Sequence, residues 1–159
     1  MLTDSRIVLP RPTRPLTFTG LMTLYESNYV RLGWLLPDLQ SLDAQRVSSP
    51  DTDLPLHARL LDRARYTTTI HLTYFFADES GRVADPDLTV RVYHDARLAE
   101  AMCCAGHHRH HALKDCVTPA GNELGLRWAR NTMLNKWLEY CVDLGHELGS
   151  NTEIHALSA

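Results

Sequence analysis

The chain has 159 residues and a formal net charge of -3, and 44% of its residues are hydrophobic while 22% are charged. This length and composition predict a single folded domain with a sizeable core and argue against a disordered protein. The slightly acidic balance argues against a general nucleic-acid binder, which usually carries a basic face. No apolar run is long enough for a membrane span or for a signal peptide, so a cytoplasmic protein is expected.

The first quarter of the chain has a proline-rich segment followed by a leucine-rich one. Residues 1–16 hold three prolines within six positions, a pattern that excludes a helix and predicts a flexible Pro/Arg tail. Leucines at helical spacing predict a helix over residues 20–36, with Thr17 as a candidate N-cap. Trp34 falls outside the main apolar stripe of this helix. It is expected to extend the core, with contact to a partner or to the tail as the alternative.

The middle of the chain has the composition of a sheet. Residues 39–54 are rich in Asp, Ser and Pro and are predicted to form a linker. Alternating apolar and polar residues, with many β-branched and aromatic side chains, are typical of strands that have one buried face. Five strands are predicted on this basis: residues 56–62, for which a helix is the competing interpretation, 66–76, 88–93, 98–104 and, more weakly, 107–113.

A second helical pattern closes the chain. Apolar residues recur at three- and four-residue intervals over residues 123–148, and Gly145 is a plausible terminator, with a flexible tail over residues 149–159. The predicted fold class is α+β: an antiparallel sheet of four to five strands with an N-terminal and a C-terminal helix packed on one face. We expect a single domain over residues 17–148. Asn28 and Asn131 fall on the apolar stripes of the two helices, where they are expected to bond each other or a sheet-edge carbonyl.

The first group of candidate functional residues surrounds the strand over residues 88–93. A histidine beside carboxylates is suited to acid–base chemistry, so His94, Asp95 and Glu100 are catalytic candidates for a small hydrolase or transferase acting on a nucleotide-like anion. They meet only if the chain turns at residue 94, because consecutive strand residues face opposite ways. The polar side of the sheet offers the other interpretation, a ligand or partner surface. Its candidate residues are Arg65, Tyr66, Thr67, Arg91, Tyr93 and His94.

Cysteine and histidine are concentrated between residues 103 and 116. Adjacent Cys103 and Cys104 do not suit a disulfide framework, so reduced thiols are expected. Imidazole and thiolate groups bind zinc and other transition metals. The metal-ligand candidates are Cys104, His108, His110 and Cys116. Their spacing matches neither paired CxxC nor helical HExxH, so no cofactor is the first expectation and a transition metal the alternative.

Four stretches of the chain carry a family pattern in the same order: Leu21–Pro37, Arg65–Thr68, Leu88–Glu100 and Asn131–Cys141. The most specific element is Tyr93-His94-Asp95-Ala96. On these stretches the chain resembles the YqiB-like family of proteobacterial proteins, a domain of unknown function. The resemblance implies a cytoplasmic protein and transfers no established activity, cofactor or site residue. The histidine run at residues 106–111 is not a feature of that family.

The sequence therefore favours a cytoplasmic binding or regulatory protein with no catalysis of its own. Its partner is expected to be a protein or a small anionic ligand, bound on the polar side of the sheet. A homodimer is a further possibility. Neither a membrane nor nucleic acid is expected as a partner. The hydrolase or transferase and the metal-binding protein remain as alternatives.

Overall fold

The computed structural model describes residues 17–103 and 123–149. These residues form two α-helices, one short 3-10 helix and six strands. In chain order the elements are α1 (Phe18–Leu35), the 3-10 helix (Leu39–Ser41), β1 (Gln45–Ser48), β2 (Leu56–Arg63), β3 (Thr67–Asp78), β4 (Gly81–Ala84), β5 (Leu88–Tyr93), β6 (Leu98–Cys103) and α2 (Glu123–Asp143). The predicted α+β class is confirmed, with an N-terminal and a C-terminal helix flanking an antiparallel sheet.

The strands form one sheet in the order β1-β2-β3-β5-β6, with β4 paired to the end of β3. All pairs are antiparallel. The β5–β6 hairpin places Val92 opposite Ala99 and Arg91 opposite Glu100. Because successive strand residues point to opposite faces, the first pair lies on one face of the sheet and the second pair on the other.

Both helices pack on the face that carries Val92. The core there consists of the C-terminal leucines of α1, the inward residues of β2, β3, β5 and β6, and one side of α2. Ile70, Leu72 and Val90 are fully buried at its centre. Trp137 of α2 meets the Tyr74 ring edge-on, with ring centroids 5.5 Å apart and the planes at 84°. A smaller apolar cluster of Leu21, Leu24 and Tyr25 joins the start of α1 to Leu98 and the start of α2.

Two buried asparagines join the helices to the last strand of the sheet. The side-chain amide of Asn28 donates to Asn131 Oδ1 at 3.2 Å and lies 3.3 Å from the carbonyl oxygen of Ala99. The same Asn131 oxygen accepts from the backbone N–H of Ala101 at 2.8 Å. Since β6 is last in the strand order, these bonds satisfy backbone groups that β5 does not reach. The predicted contact between the two asparagines and a sheet-edge carbonyl is confirmed.

The structure differs from the sequence prediction in three places. Residues 39–54 are not a plain linker, because they contain the 3-10 helix and β1. β1 is a short edge strand whose polar sequence lacks the expected alternation. β4 is a further strand that was not predicted, and it brings the described sheet to six strands. α2 ends at Asp143 rather than at residue 148, since Gly145 adopts a φ of +86°, which terminates a helix.

Some of the predicted segments lie outside residues 17–103 and 123–149, and others are confirmed. The predicted strand over residues 107–113, the tail over residues 1–16 and all but the first residue of the tail over 149–159 lie outside the described residues. The segments 56–62, 66–76 and 88–93 are strands as predicted, and Thr17 caps α1 by accepting from the N–H of Gly20. In the described part of the chain, neither helix combines the length and the apolar character needed to cross a bilayer.

Candidate functional site

The face of the sheet opposite the two helices is polar. Thr67 lies opposite Tyr93 and Thr69 opposite Arg91 in the β3–β5 pair, and these four side chains alternate with core residues. Arg91 Nε donates to Thr69 Oγ1 at 3.4 Å. The side chains of Thr67, Arg91 and Tyr93 are half-buried, whereas the alternating Val90 and Val92 are fully buried. We call the surface formed by Thr67, Thr69, Arg91, Tyr93 and Glu100 the polar sheet face.

Glu100 is a hydrogen-bond acceptor of the polar sheet face, on β6, the last strand in the strand order. The hydroxyl of Tyr93 donates to Glu100 Oε1 at 2.6 Å, and the Glu100 residue is only 9% exposed. Burial, followed by the neighbouring Glu100 carboxylate, raises the pKa of Tyr93. The same two causes raise the pKa of Tyr25 of α1 to about 12. Both phenols therefore remain protonated at neutral pH, and Tyr93 is the one that donates a hydrogen bond to this carboxylate.

Arg65 and Tyr66 lie at one end of the polar sheet face, in the turn between β2 and β3. Both are exposed, and the Arg65 guanidinium carbon lies 5.1 Å from the centroid of the Tyr66 ring. The carbonyl of Tyr66 accepts from the backbone N–H of His94 at 2.9 Å, which ties this turn to the β5–β6 turn. Both side chains are therefore accessible in the turn that precedes β3.

The structure places His94 on the other side of the sheet. Its Nε2 lies 2.7 Å from the hydroxyl of Thr68, a buried residue that alternates with the polar Thr67 and Thr69. Its Nδ1 lies 3.5 Å from the side-chain nitrogen of Gln40 in the 3-10 helix. His94 therefore lies on the side of the sheet that the helices cover and does not belong to the polar sheet face.

The three catalytic candidates are not brought together. His94 lies on the helix side of the sheet, Glu100 lies on the polar sheet face, and Asp95 is exposed in the turn between β5 and β6. Asp95 acts on His94 only as a nearby charge. Burial lowers the pKa of His94, the Arg63 cation lowers it further, and Asp95 offsets part of the shift. An acid–base site needs its groups within reach of one atom, and this arrangement does not supply that.

A buried polar cluster that the sequence patterns did not indicate joins the end of α2 to the β1–β2 loop. His146 Nε2 lies 2.9 Å from Asp53 Oδ2, and Nδ1 lies 3.2 Å from the hydroxyl of Ser48. The Tyr74 hydroxyl donates to the same Asp53 oxygen at 2.5 Å. Ser48, His146 and Asp53 thus have the contact order of a hydrolase triad, yet Ser48 and His146 are each 4% exposed, so a substrate does not reach them.

The buried cluster has a structural role. Ser48 also accepts from the backbone N–H of Glu147 at 3.0 Å, and Arg46 Nη1 donates to the carbonyl of Leu148 at 3.0 Å. Together these bonds fasten the segment after α2 onto β1. No local signal marks this cluster in the sequence, because Asp53 comes from the predicted linker and His146 lies 93 positions further along the chain.

Acid is expected to weaken this attachment. Burial alone would raise the pKa of Asp53, but the hydrogen bonds from Tyr74 and His146 outweigh it and hold the pKa below its ordinary value. A carboxylate with a lowered folded-state pKa stabilises the fold above its unfolded pKa of about 3.9, and this stabilisation is lost as the pH falls through the folded value. Asp53→Asn should therefore lower the free energy of unfolding at neutral pH and flatten its decline below about pH 5.

Urea denaturation at neutral and acidic pH measures this effect. Asp51→Asn is the matched control, because Asp51 is exposed in the same loop. The control should keep the wild-type pH profile. An Asp53→Asn profile parallel to that of the wild type would show that this carboxylate does not contribute to the acid sensitivity.

The metal-ligand candidates Cys104, His108, His110 and Cys116 all lie outside the described residues. Within residues 17–103 and 123–149, no group of three or more His, Cys, Asp or Glu side chains has the geometry to hold a metal ion. In the same part of the chain Cys103 and Cys141 are free thiols. Burial raises the pKa of the Cys141 thiol to about 12, so this cysteine is a packing residue and not a nucleophile.

Comparison with known proteins gives a family and no activity. Residues 31–147 match the family model described as "Protein of unknown function (DUF1249)". The chain is 28% identical over 128 residues to "Uncharacterized protein YqiB" of Escherichia coli (strain K12), covering 80% of this chain and 90% of that protein. The YqiB protein of Escherichia coli O157:H7 matches with the same identity and coverage. No solved structure matches the chain.

Proposed function

We propose that this chain, which belongs to the DUF1249 family of proteins of unknown function, is a binding protein with no catalysis of its own that recognises a protein partner through the polar sheet face. The proposal rests on the side of the sheet on which Arg91 and Tyr93 lie. Arg91 and Tyr93 are half-buried on the face opposite α1 and α2, where they remain open to contact. Arginine and tyrosine are enriched at protein interfaces and among the residues that dominate their affinity.

The chemistry of the polar sheet face favours a protein over a small anion. Positively and negatively charged side chains alternate on this side of the sheet. Arg91 lies opposite Glu100, and the exposed residues Arg59 and Asp62 lie on β2, beside the polar sheet face. A small anion is bound best where several donors converge in a concave site, and here Arg91 is partly engaged with Thr69 while Tyr93 is engaged with Glu100. A mixed-charge surface suits a protein interface, in which paired charges fix the orientation of the partner.

The position of His94 supports a role without catalysis. The only histidine among the acid–base candidates is separated by the sheet from the buried carboxylate Glu100. We place the protein in the cytoplasm, because the free thiols Cys103 and Cys141 suit a reducing compartment. A second copy of the chain is the alternative partner for the same face.

Affinity capture from the source cell tests the proposal when three forms of the full chain are compared side by side. The forms are the wild type, Arg91→Ala and Lys136→Ala; Lys136 is an exposed cation of α2 and serves as the matched control. The captured protein is then purified, and its Kd for each form is measured by calorimetry. Arg91→Ala should weaken binding about tenfold or more, because arginine is enriched among the few interface residues that dominate affinity.

The control separates a specific surface from a general charge effect. Lys136→Ala should bind the partner as the wild type does. Equal Kd values for the wild type and Arg91→Ala, or an equal loss in both variants, would contradict the proposal. Sedimentation of the wild-type protein alone identifies the case in which the partner is a second copy.

A further inference from the structure

A cleft of about 450 Å³ opens beside α1, on the opposite side of the sheet from the polar sheet face. The C-terminal half of α1, the following 3-10 helix and the end of β5 form its walls. Trp34 and Val30 line it and are 43% and 40% exposed, so both side chains are accessible to a ligand. Trp34 was expected to extend the core, and the structure places it at the cleft instead. The volume is within the range of small-molecule sites.

One end of the cleft presents a neutral hydrogen-bonding pair, His94 and Gln40. The amide nitrogen of Gln40 is a donor only, so the His94 Nδ1 that lies 3.5 Å away is the acceptor, and the Nε2–H of His94 donates to the hydroxyl of Thr68 at 2.7 Å. Burial and the nearby Arg63 lower the pKa of His94, so its imidazole is uncharged at neutral pH. A separation of 3.5 Å is at the outer limit of a hydrogen bond, and a better-placed donor can replace Gln40 at Nδ1.

The one charged side chain among the lining residues, Asp38, is already paired. Asp38 accepts from Arg46 Nη1 at 2.7 Å and from the hydroxyl of Ser41 at 3.2 Å. The guanidinium of Arg63 donates to the carbonyl oxygens of Leu42 and Leu39. The residues that line the cleft therefore offer an ionic ligand no unpaired opposite charge, whereas a neutral ligand loses little hydration on entering.

We propose that this cleft binds a neutral, planar heteroaromatic molecule whose ring edge presents an N–H donor next to an acceptor. The ring packs against the indole of Trp34 and the side chain of Val30. Its N–H donates to Nδ1 of His94, and its acceptor receives the side-chain N–H of Gln40. This site is independent of the polar sheet face, from which the sheet itself separates it.

The probe for this proposal is 2-quinolone, a neutral bicyclic ring whose N–H lies beside its carbonyl. Its N-methyl derivative is the matched control compound, since it keeps the ring and the carbonyl but lacks the donor. Titration of the full chain is followed by NMR shifts. We expect 2-quinolone to bind with a Kd below about 5 mM, as a ligand of this size does in a fitted site, and the N-methyl compound to bind about tenfold more weakly.

Two variants locate the site. Trp34→Ala and Gln40→Leu change exposed residues, so both should fold, which circular dichroism checks. Each should weaken 2-quinolone binding about fivefold or more, while Lys136→Ala, on the outside of α2, leaves it unchanged. Failure of 2-quinolone to bind the wild type, equal affinity for the two compounds, or full binding by Trp34→Ala would overturn the proposal. None of these results bears on partner capture by the polar sheet face.

Discussion

Trp137→Ala is expected to lower the free energy of unfolding by about 3–5 kcal/mol, the usual range for removing a large aromatic side chain from a core. Trp137 is fully buried among the residues that join α2 to the sheet, and it contacts the ring of Tyr74 edge-on. Removal of the indole leaves a cavity between the two layers that close-packed neighbours fill only in part. Urea denaturation monitored by circular dichroism measures the loss.

Two further tryptophan variants distinguish this packing role from a general effect of losing tryptophan. Among the described residues the buried indole N–H of Trp137 has no hydrogen-bond partner. Trp137→Phe should therefore cost much less than the alanine variant, because it removes a donor that forms no bond there. Trp34→Ala, at a side chain that is 43% exposed, should change the free energy by about 1 kcal/mol or less. A Trp137→Ala protein as stable as Trp34→Ala would contradict the assigned core.

Asn131→Ala should produce the second large loss, about 2–4 kcal/mol, because it leaves buried donors without an acceptor. The side-chain oxygen of Asn131 accepts from Asn28 and from the backbone of Ala101, and its amide donates to the carbonyl of Arg127 at 2.8 Å. Asn28 in turn accepts from Asn135 at 3.0 Å. The substitution therefore weakens the attachment of both helices to the edge of β6.

Equilibrium unfolding and amide exchange report on the two parts of this effect. The free energy of unfolding gives the total loss, and the exchange rate of the Ala101 amide should rise more than that of the Val92 amide in the neighbouring strand. Lys136→Ala, at an exposed position on the same helix, is the control and should remain within about 0.5 kcal/mol of the wild type. An Asn131→Ala protein with wild-type stability and an unchanged Ala101 exchange rate would refute the edge contact.

The sequence predicts those parts of the fold in which one residue pattern decides the structure. The alternation over residues 66–76 and 88–93 identifies both central strands and their buried faces. Alternating apolar and polar residues are the pattern of a strand that is covered on one face. Asn28 and Asn131 were predictable partners because a polar side chain on an apolar stripe has to find hydrogen bonds. β1 and β4 were missed because each has only four residues and depends on pairing with a longer neighbour.

The candidate site was predictable only in part. The alternation places Thr67, Arg91 and Tyr93 on one side of the sheet. It does not determine the direction of His94, which follows the last residue of β5 and enters a turn. The Asp53–His146 contact joins positions 93 apart, and no local spacing encodes such a pair. The cleft at Trp34 depends on the path of the chain after α1, where the sequence indicated only a linker.

Solvent accessibility at two adjacent threonines tests most directly whether the polar sheet face is open. Thr67 is half-buried on that face, whereas Thr68, the next residue, is 1% exposed on the side that the helices cover. The measurement is the relaxation of the two threonine methyl signals in the full chain when a soluble gadolinium chelate is added. Strong broadening of the Thr67 methyl with a protected Thr68 methyl is the expected result. Equal broadening of both methyls, or protection of Thr67, would show that this face is not available to a partner.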